Sequence, residues 1–404
     1  MNSGNVPNLF KNKINCCGCG ACENICPKNA ISMQEDEDGF LYPRIDESVC
    51  IRCKKCTKVC AFQNVNEIHT PINAYAAISK NREQATESAS GGIFAAIAEK
   101  IIKENGIVFG AAFTKDYGVE HRYIDELDKL LYLQGSKYVH SRIGNSYKKV
   151  KKFLEEEKTV LFSGTPCQVA GLRAYLGKEY ENLFTIDIIC HGVPSEKMFQ
   201  SYLRYFEEKH NGILTFFTFR DKKLGWGING RMTVETRNKK KKNITLWQSG
   251  SSYLFYFIKG WIYRENCYHC KYAGENRPGD ITIGDFWGIE RQHPDYIGKN
   301  GWDESKGISS IIVNTDKGKS LLNKCENVLE LKNSTFYDIA IGNAQLNKPC
   351  MEPVERKNLF LLYKLKGWAG LEKYYSDFIG VRKYESLIKS LIPHSMKRWI
   401  KRNL

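Results

Sequence analysis

Nowhere in its 404 residues does the chain hold a run of 18 apolar residues. The longest candidate, residues 251–263, is broken by Lys259 and is too short to span a bilayer. Residues 1–13 contain no apolar stretch of signal-peptide length and no small-residue cleavage site, so the sequence reads as cytoplasmic. A glycine fingerprint of the GxGxxG kind is missing, which speaks against a nicotinamide dinucleotide site. Low-complexity tracts and recognised nucleic-acid motifs are missing too, so no nucleic-acid partner is expected. Acidic residues are the minority, 45 against 60 basic ones, for a formal charge of +15. That excess asks for something anionic, either a partner or a cofactor. Apolar residues at 42% and charged residues at 26% exclude a disordered or fibrous chain. What the chain does have is cysteine, 15 of them, too sparse for a secreted disulfide scaffold. In a reducing compartment, clustered thiols mean metal or redox chemistry.

The cysteines are unevenly spread, nine within residues 1–68 and six in the remainder. Residues 67–71 end in Pro71 and mark a linker, beyond which strand and helix signals alternate. The sequence predicts strands over 74–79, 107–113, 160–162 and 183–189, and helices over 91–103, 145–157, 169–176 and 195–209, with Gly106 as a helix stop. This alternation argues for βαβ units. Beyond residue 213 the pattern is more strand-like (214–220, 231–236, 244–247, 281–285), and residues 359–404 read as helical and basic. The fold class is therefore α+β or α/β. Its expected units span residues 1–68, 72–155 and 156–325, with a helical basic tail over 326–404.

Cys16-x2-Cys19-x2-Cys22-x3-Cys26-Pro27 is followed by Cys50-x2-Cys53-x2-Cys56-x3-Cys60. In two-cluster ferredoxins this run occurs twice, and the fourth cysteine of each run ligates the other cluster. Cys16, Cys19, Cys22 and Cys60 are then one 4Fe-4S ligand set, and Cys50, Cys53, Cys56 and Cys26 the other. Four-thiolate zinc sites also start from CxxC pairs, which is the competing reading. Gly18 and Gly20 keep the loop small, Ala61 replaces the proline usual after the second run, and Cys17 is a spare small side chain. Farther on, Cys167 follows the strand ending at Phe162, Cys190 follows the strand ending at Ile189, and Cys267-x2-Cys270 adds a pair. Strand ends at the carboxyl edge of an α/β sheet are where ligands bind. Four thiols from three segments suffice for a third cluster, while buried cysteines of no function give the same pattern. Cys325 and Cys350 lack partners and read as structural.

An ordered set of further motifs accompanies these cysteines: Ser90-Gly91-Gly92, Gly135-Ser136-Lys137-Tyr138-Val139, Gly164-Thr165-Pro166-Cys167-Gln168 and Cys190-His191-Gly192-Val193-Pro194-Ser195. Then come Cys267-Tyr268-His269-Cys270-Lys271-Tyr272-Ala273 and a segment from Arg277-Pro278-Gly279-Asp280 to Asp285-Phe286-Trp287-Gly288. Over roughly residues 10–320 the chain resembles the coenzyme F-420 hydrogenase/dehydrogenase beta subunits, in a form fused to a two-cluster ferredoxin. The resemblance implies an iron–sulfur flavoprotein oxidoreductase with a flavin, usually FAD, and a third 4Fe-4S cluster on Cys167, Cys190, Cys267 and Cys270. It implies electron exchange with deazaflavin coenzyme F-420, ferredoxin or a redox partner protein. Similar bacterial proteins accompany surface-polysaccharide synthesis. The alternative is an electron-transfer subunit that serves a separate catalytic partner.

Ser90, Gly91 and Gly92 open a helix where exposed amides suit a phosphate, although a plain N-cap by Ser90 fits equally well. The resemblance assigns them to the flavin, with Lys137, Tyr138 and Ser141 beside them. His191 and Asp285 are the catalytic candidates, as a proton relay or cluster hydrogen-bond donor and as a partner of ribityl chain or substrate. A turn-capping role serves Asp285 equally well, and a structural role is the favoured reading of His191. Residues 219–227 read as a loop over the cofactor. Lys239–Lys242 read as a solvated hairpin tip, and residues 386–402 as an amphipathic segment that packs on the core or lies on an anionic membrane. Three oxidised clusters at about −2 each and a flavin pyrophosphate at about −2 would bring +15 to roughly +7, so about half the excess matches internal cofactors.

Overall fold

The structure, a computed structural model, describes residues 5–64, 67–299, 301–385 and the single residues 388, 392, 396 and 400. Two strands, β1 (Ile31–Glu35) and β2 (Leu41–Ile45), pair antiparallel as a hairpin. With the short helices Ala21–Ile25 and Lys55–Lys58 they form the ferredoxin-like N-terminal unit that carries both cysteine runs.

The strands that follow are β3 (Asn73–Ser79), β4 (Ile107–Phe113), β5 (Val119–Ile124), β6 (Val160–Gly164) and β7 (Leu183–Ile188). A separate antiparallel meander holds β8 (Gly212–Thr218), β9 (Gly230–Thr236) and β10 (Lys241–Leu246). Last come β11 (Ile281–Asp285), β12 (Ser309–Val313) and β13 (Leu329–Ser334). Outside the hairpin and the meander, eight strands make one mixed sheet in the order β13-β3-β12-β11-β7-β6-β4-β5. β4, β6, β7 and β11 run parallel at its centre, and β3 points the same way across the antiparallel β12. Val160, Leu161 and Phe162 of β6 are wholly buried, the continuous apolar run expected of a strand covered on both faces.

The sequence locates these strands closely: β4 and β11 have the expected bounds, and β3, β6 and β7 differ by one or two residues. The helix predicted over 169–176 begins earlier, at Pro166. Thr165 and Gln168 form a capping box around a proline in the first turn, and Gly177 ends the helix in a left-handed conformation. The helix predicted over 91–103 starts at Ile93 and ends at Lys103 as expected; Asn105 takes the left-handed position (φ 60°), and Gly106 N–H closes back onto the Ile101 carbonyl. Lys239 and Lys240 do occupy an exposed turn between β9 and β10. The sheet takes strands from both sides of the expected division at 155/156, and β13 falls within 326–404. The long tail helix, Glu355–Ile379, bends at Gly367 and buries Trp368 and Tyr375 against the helices Glu196–His210 and Ser252–Ile258. Most of the amphipathic segment 386–402 lies outside the described residues.

The ferredoxin-like unit is fastened to the sheet unit by specific polar contacts. Asn24 Nδ2 donates to the Gly144 carbonyl at 2.7 Å, Lys271 Nζ to the Asn64 carbonyl at 2.6 Å, and Tyr272 Oη to the Ala61 carbonyl. His69, in the expected linker, exchanges backbone hydrogen bonds with Arg277.

Candidate iron–sulfur and cofactor site

In the N-terminal unit the cysteines fall into two interleaved groups. Cys16, Cys19, Cys22 and Cys60 line one small cavity, and Cys26, Cys50 and Cys53 line another. Cys56 borders both. Each run thus lends its fourth cysteine to the other's cavity, as the spacing predicts. Backbone amides point at the sulfurs, Ala30 N–H at Cys26 (3.3 Å) and those of Gly18, Glu23 and Thr57 at Cys16, Cys22 and Cys56. Burial raises the Cys16, Cys22 and Cys56 thiols, and these amides oppose it, favouring the thiolates that bind metal. Cys53 of the second group is exposed, whereas the four cysteines of the first are buried or half-buried.

Cys167 sits in the first turn after β6, and Cys190 lies two residues beyond β7. Cys267 and Cys270 come from a short helical loop, Glu265–His269 and its end. Their thiols converge. Burial pushes Cys190 well up, and Cys267, Cys167 and Cys270 add to the shift. Burial also raises Cys267 to about 12, with Cys270 adding, and Cys270 to about 11, with Cys167 adding. Cys167 goes the other way, lowered to about 7 chiefly by its hydrogen bond with Cys17, so one readily ionised thiol stands among three that burial keeps protonated.

Cys17, read from sequence as a spare loop residue, lies between these groups, its side chain hydrogen-bonded to Cys167 and to Cys19. Cys19 packs closely on the helix that begins at Pro166, where residue 171 is glycine: a Cβ there would sit 3.0 Å from Cys19 Cβ. Arg264 was not singled out by sequence reasoning and is fully buried at the same junction. Its Nε donates to the Cys16 carbonyl at 2.8 Å, and its guanidinium lies 3.9 Å from the Tyr42 ring centre. Nη2 is 3.7 Å from Cys16 Sγ, and Nη1 has no hydrogen-bond partner among the described residues. A buried cation with an orphan donor, facing thiols of both groups, fits a site built for anionic centres. Asp187 and Arg277, also missed, form a buried ion pair at 2.7 Å. Arg277 further donates to the carbonyls of Tyr272 and Ile188, which ties the Cys270 loop to the end of β7. The Arg277-Pro278-Gly279-Asp280 segment was the available signal.

Beside the third thiol group, at the carboxyl edge of β3, β4, β6, β7 and β11, opens a cavity of about 280 Å³. Ser90, Gly92, Lys137, Tyr138, Ser141, His191 and Asp285 all line it. Gly91 does not: its N–H donates to Ser309 Oγ at 2.9 Å, and Ser90 Oγ donates to the Ile308 carbonyl, so both serve to seat the loop on β12. Lys137 Nζ turns onto the carbonyls of Tyr132 (3.1 Å) and Gln134 (2.7 Å), and burial lowers it to about 7. Tyr138 stacks on Phe257 at 4.4 Å. His121 Nδ1 is 2.8 Å from Ser141 Oγ, and burial holds this ring down at about 4. Burial likewise lowers His191, which follows Cys190 directly.

Asp285 is fully engaged. Arg220 grips it with two bonds of 3.0 Å, and Trp226 Nε1 donates at 2.7 Å. Trp226 stacks on Trp287 at 4.8 Å, and Lys222 Nζ donates to the carbonyls of Ala85 and Ser90. Asp285 therefore latches the loop after β8 across the cavity. Thr165 connects cavity and thiols, since it lines the one and its Oγ1 is 3.2 Å from Cys167 Sγ.

Residues 157–336 match the family model for the C terminus of the coenzyme F-420 hydrogenase/dehydrogenase beta subunit, and residues 15–64 match a 4Fe-4S dicluster domain. An uncharacterised ferredoxin of Methanocaldococcus jannaschii is 40% identical over 52 residues, which is 13% of this chain and 66% of that protein. Among solved structures, one from the F-420-reducing nickel–iron hydrogenase complex of Methanosarcina barkeri aligns at 14% identity. It covers 75% of this chain and 96% of that one, with a TM-score of 0.42. The two family matches fall on the two units that the geometry separates: the chain is an iron–sulfur electron-transfer protein related to the coenzyme F-420 hydrogenase/dehydrogenase beta subunits over residues 157–336, with an N-terminal 4Fe-4S dicluster domain.

Proposed function

We propose that the protein is an iron–sulfur flavoprotein oxidoreductase in which electrons travel between the surface and the 280 Å³ cavity. The observation that carries this reading is the ordered succession of thiol groups. The exposed group at Cys53 shares Cys56 with the group of Cys16, Cys19, Cys22 and Cys60. That group meets Cys167 through Cys17, and Cys167 meets the cavity wall through Thr165. Cys16, Cys19, Cys22 and Cys60 would hold one 4Fe-4S cluster, Cys26, Cys50, Cys53 and Cys56 a second, and Cys167, Cys190, Cys267 and Cys270 a third. Bound clusters supply one-electron steps, and a flavin supplies the exchange between one- and two-electron chemistry.

The cavity suits the flat ring system of a flavin, with Phe257, Ile189 and Trp287 as apolar walls and Lys137, Ser141 and His191 as polar groups. The latched loop contributes Ile228 to the cavity wall, and Asp285 acts by holding Arg220 and Trp226, not as a free acid. The donor or acceptor is read as coenzyme F-420, ferredoxin or a partner protein. A role beside surface-polysaccharide synthesis rests on resemblance alone.

Lys137 gives this reading a pH signature. Its ammonium titrates at about 7 before an anion binds, and a phosphate beside it would raise that value. Binding then favours the protonated form, so flavin affinity is expected to be full below about pH 7 and to fall as pH rises above it. Lys137→Met should flatten the profile, checked by flavin fluorescence quenching; a wild-type affinity constant from about pH 6 to about pH 9 contradicts the assignment. Function is tested by mixing the anaerobically reconstituted chain with reduced F-420, reduced ferredoxin or NADH. Bleaching of clusters and flavin together by one of the first two supports the reading. Clusters that dithionite reduces while the flavin stays oxidised would sink it.

A further inference from the structure

The Cys53 cavity opens through a collar of cations. Lys28, Arg52, Lys54, Lys55 and Lys58 are all exposed around it, and Ile51 stands among them with 52% of its surface free. Among the described residues none of the five enters an ion pair, whereas Lys13 in the same unit is paired to Asp36 and Glu37. The acidic side chains in the same loop are Asp46 and Glu47, so positive charge predominates. Arg52 and Lys54 both have left-handed backbone (φ 58° and 59°), a conformation glycine adopts more cheaply. The loop keeps long cationic side chains where its geometry would favour glycine. If the collar served only to balance the cluster's own charge, buried cations would do so better, as Arg264 does at the neighbouring group. Exposed cations around an exposed apolar residue present a field and a contact patch to something in solution.

We infer that this collar is the docking surface for an acidic one-electron carrier protein, of ferredoxin or flavodoxin type. The inference rests on the reading of Cys26, Cys50, Cys53 and Cys56 as a cluster cradle. In the step it serves, one electron leaves the reduced carrier, which is oxidised, and enters that cluster; no bond is made or broken and no proton moves. Lys28, Lys54 and Lys55 line the cradle, so the cation nearest the carrier's acidic face is also nearest the electron's destination. Charge complementarity would speed encounter and orient it, and salt would weaken both.

The test uses the full, iron-loaded chain and a reduced, acidic two-cluster ferredoxin in stopped flow. The second-order rate of cluster reduction should fall with ionic strength in the wild type, and fall by about tenfold or more at low salt in Arg52→Asp/Lys58→Glu. Neither residue lines the cradle, and aspartate tolerates the left-handed backbone at position 52. Reduction of the same variant by dithionite reports whether the cluster itself is intact. A rate independent of both salt and the double substitution, with about eight or more irons present, overturns the docking surface alone. An iron content well below about eight overturns the cluster reading and the docking surface together.

Discussion

Serine at position 190 is expected to lower the iron content from about twelve to about eight atoms per chain and to cut the cavity off from the N-terminal unit. Cys190 stands at the end of β7 with Cys167, Cys267 and Cys270 around it, and burial leaves its thiol no favourable ionised state without a cation. A hydroxyl is a far poorer ligand for iron than a thiolate. The two N-terminal groups are built from other segments and should keep their iron, so their spectra remain while carrier-driven bleaching of the flavin is lost. Cys350→Ser is the control: Cys350 hydrogen-bonds the Met351 carbonyl at 3.4 Å and is not one of the convergent thiols, so its iron content should match the wild type. Iron determination and anaerobic absorbance spectra decide the matter. About twelve irons in the Cys190→Ser protein would remove the third group from the account.

Removing Asp187 is expected to cost stability, about 3–5 kcal/mol, because it strands a buried charge. Asp187 and Arg277 are 0% and 1% exposed, and the carboxylate also accepts from Thr282 Oγ1 at 2.8 Å and Gly279 N–H at 2.9 Å. In Asp187→Ala the Arg277 guanidinium keeps only carbonyl and hydroxyl partners in a region closed to water. Replacing both residues with apolar side chains, Asp187→Leu/Arg277→Met, should recover much of the loss, since the penalty lies in the unpaired charge and not in the absent pair. Urea midpoints on the iron-loaded proteins measure the difference. A loss below about 1 kcal/mol in Asp187→Ala would mean the pair does not hold the loop as the geometry implies.

The placement of cysteines at the strand ends was legible because cysteine spacing and strand periodicity are local signals. The ferredoxin runs specify their own interleaving, and the apolar stretches before Cys167 and Cys190 mark β6 and β7 directly. What escaped was whatever depends on distant packing. β12 and β13 join the sheet beside β3, far from it in sequence, and no local pattern announces that neighbourhood. Ser90 and Gly91 looked like phosphate donors from their composition, yet β12 takes their hydroxyl and amide. Asp285 looked like a partner for a ribityl chain or substrate, yet Arg220 and Trp226, about sixty residues earlier, occupy both its oxygens. Cys17 and Arg264 were illegible for the same reason, since their importance lies in what faces them across the junction of the two units. The excess charge is also sharper in space than in the total of +15. Part of it is buried against thiols at Arg264, and part stands in solvent around Cys53.

One measurement bears most directly on the account: iron and flavin determined together on the same anaerobically reconstituted, desalted chain. Three thiol groups and one cavity predict about twelve irons and about one flavin per chain. A chain that saturates at about eight irons, or that retains no flavin after desalting, would contradict the path from Cys53 to the cavity.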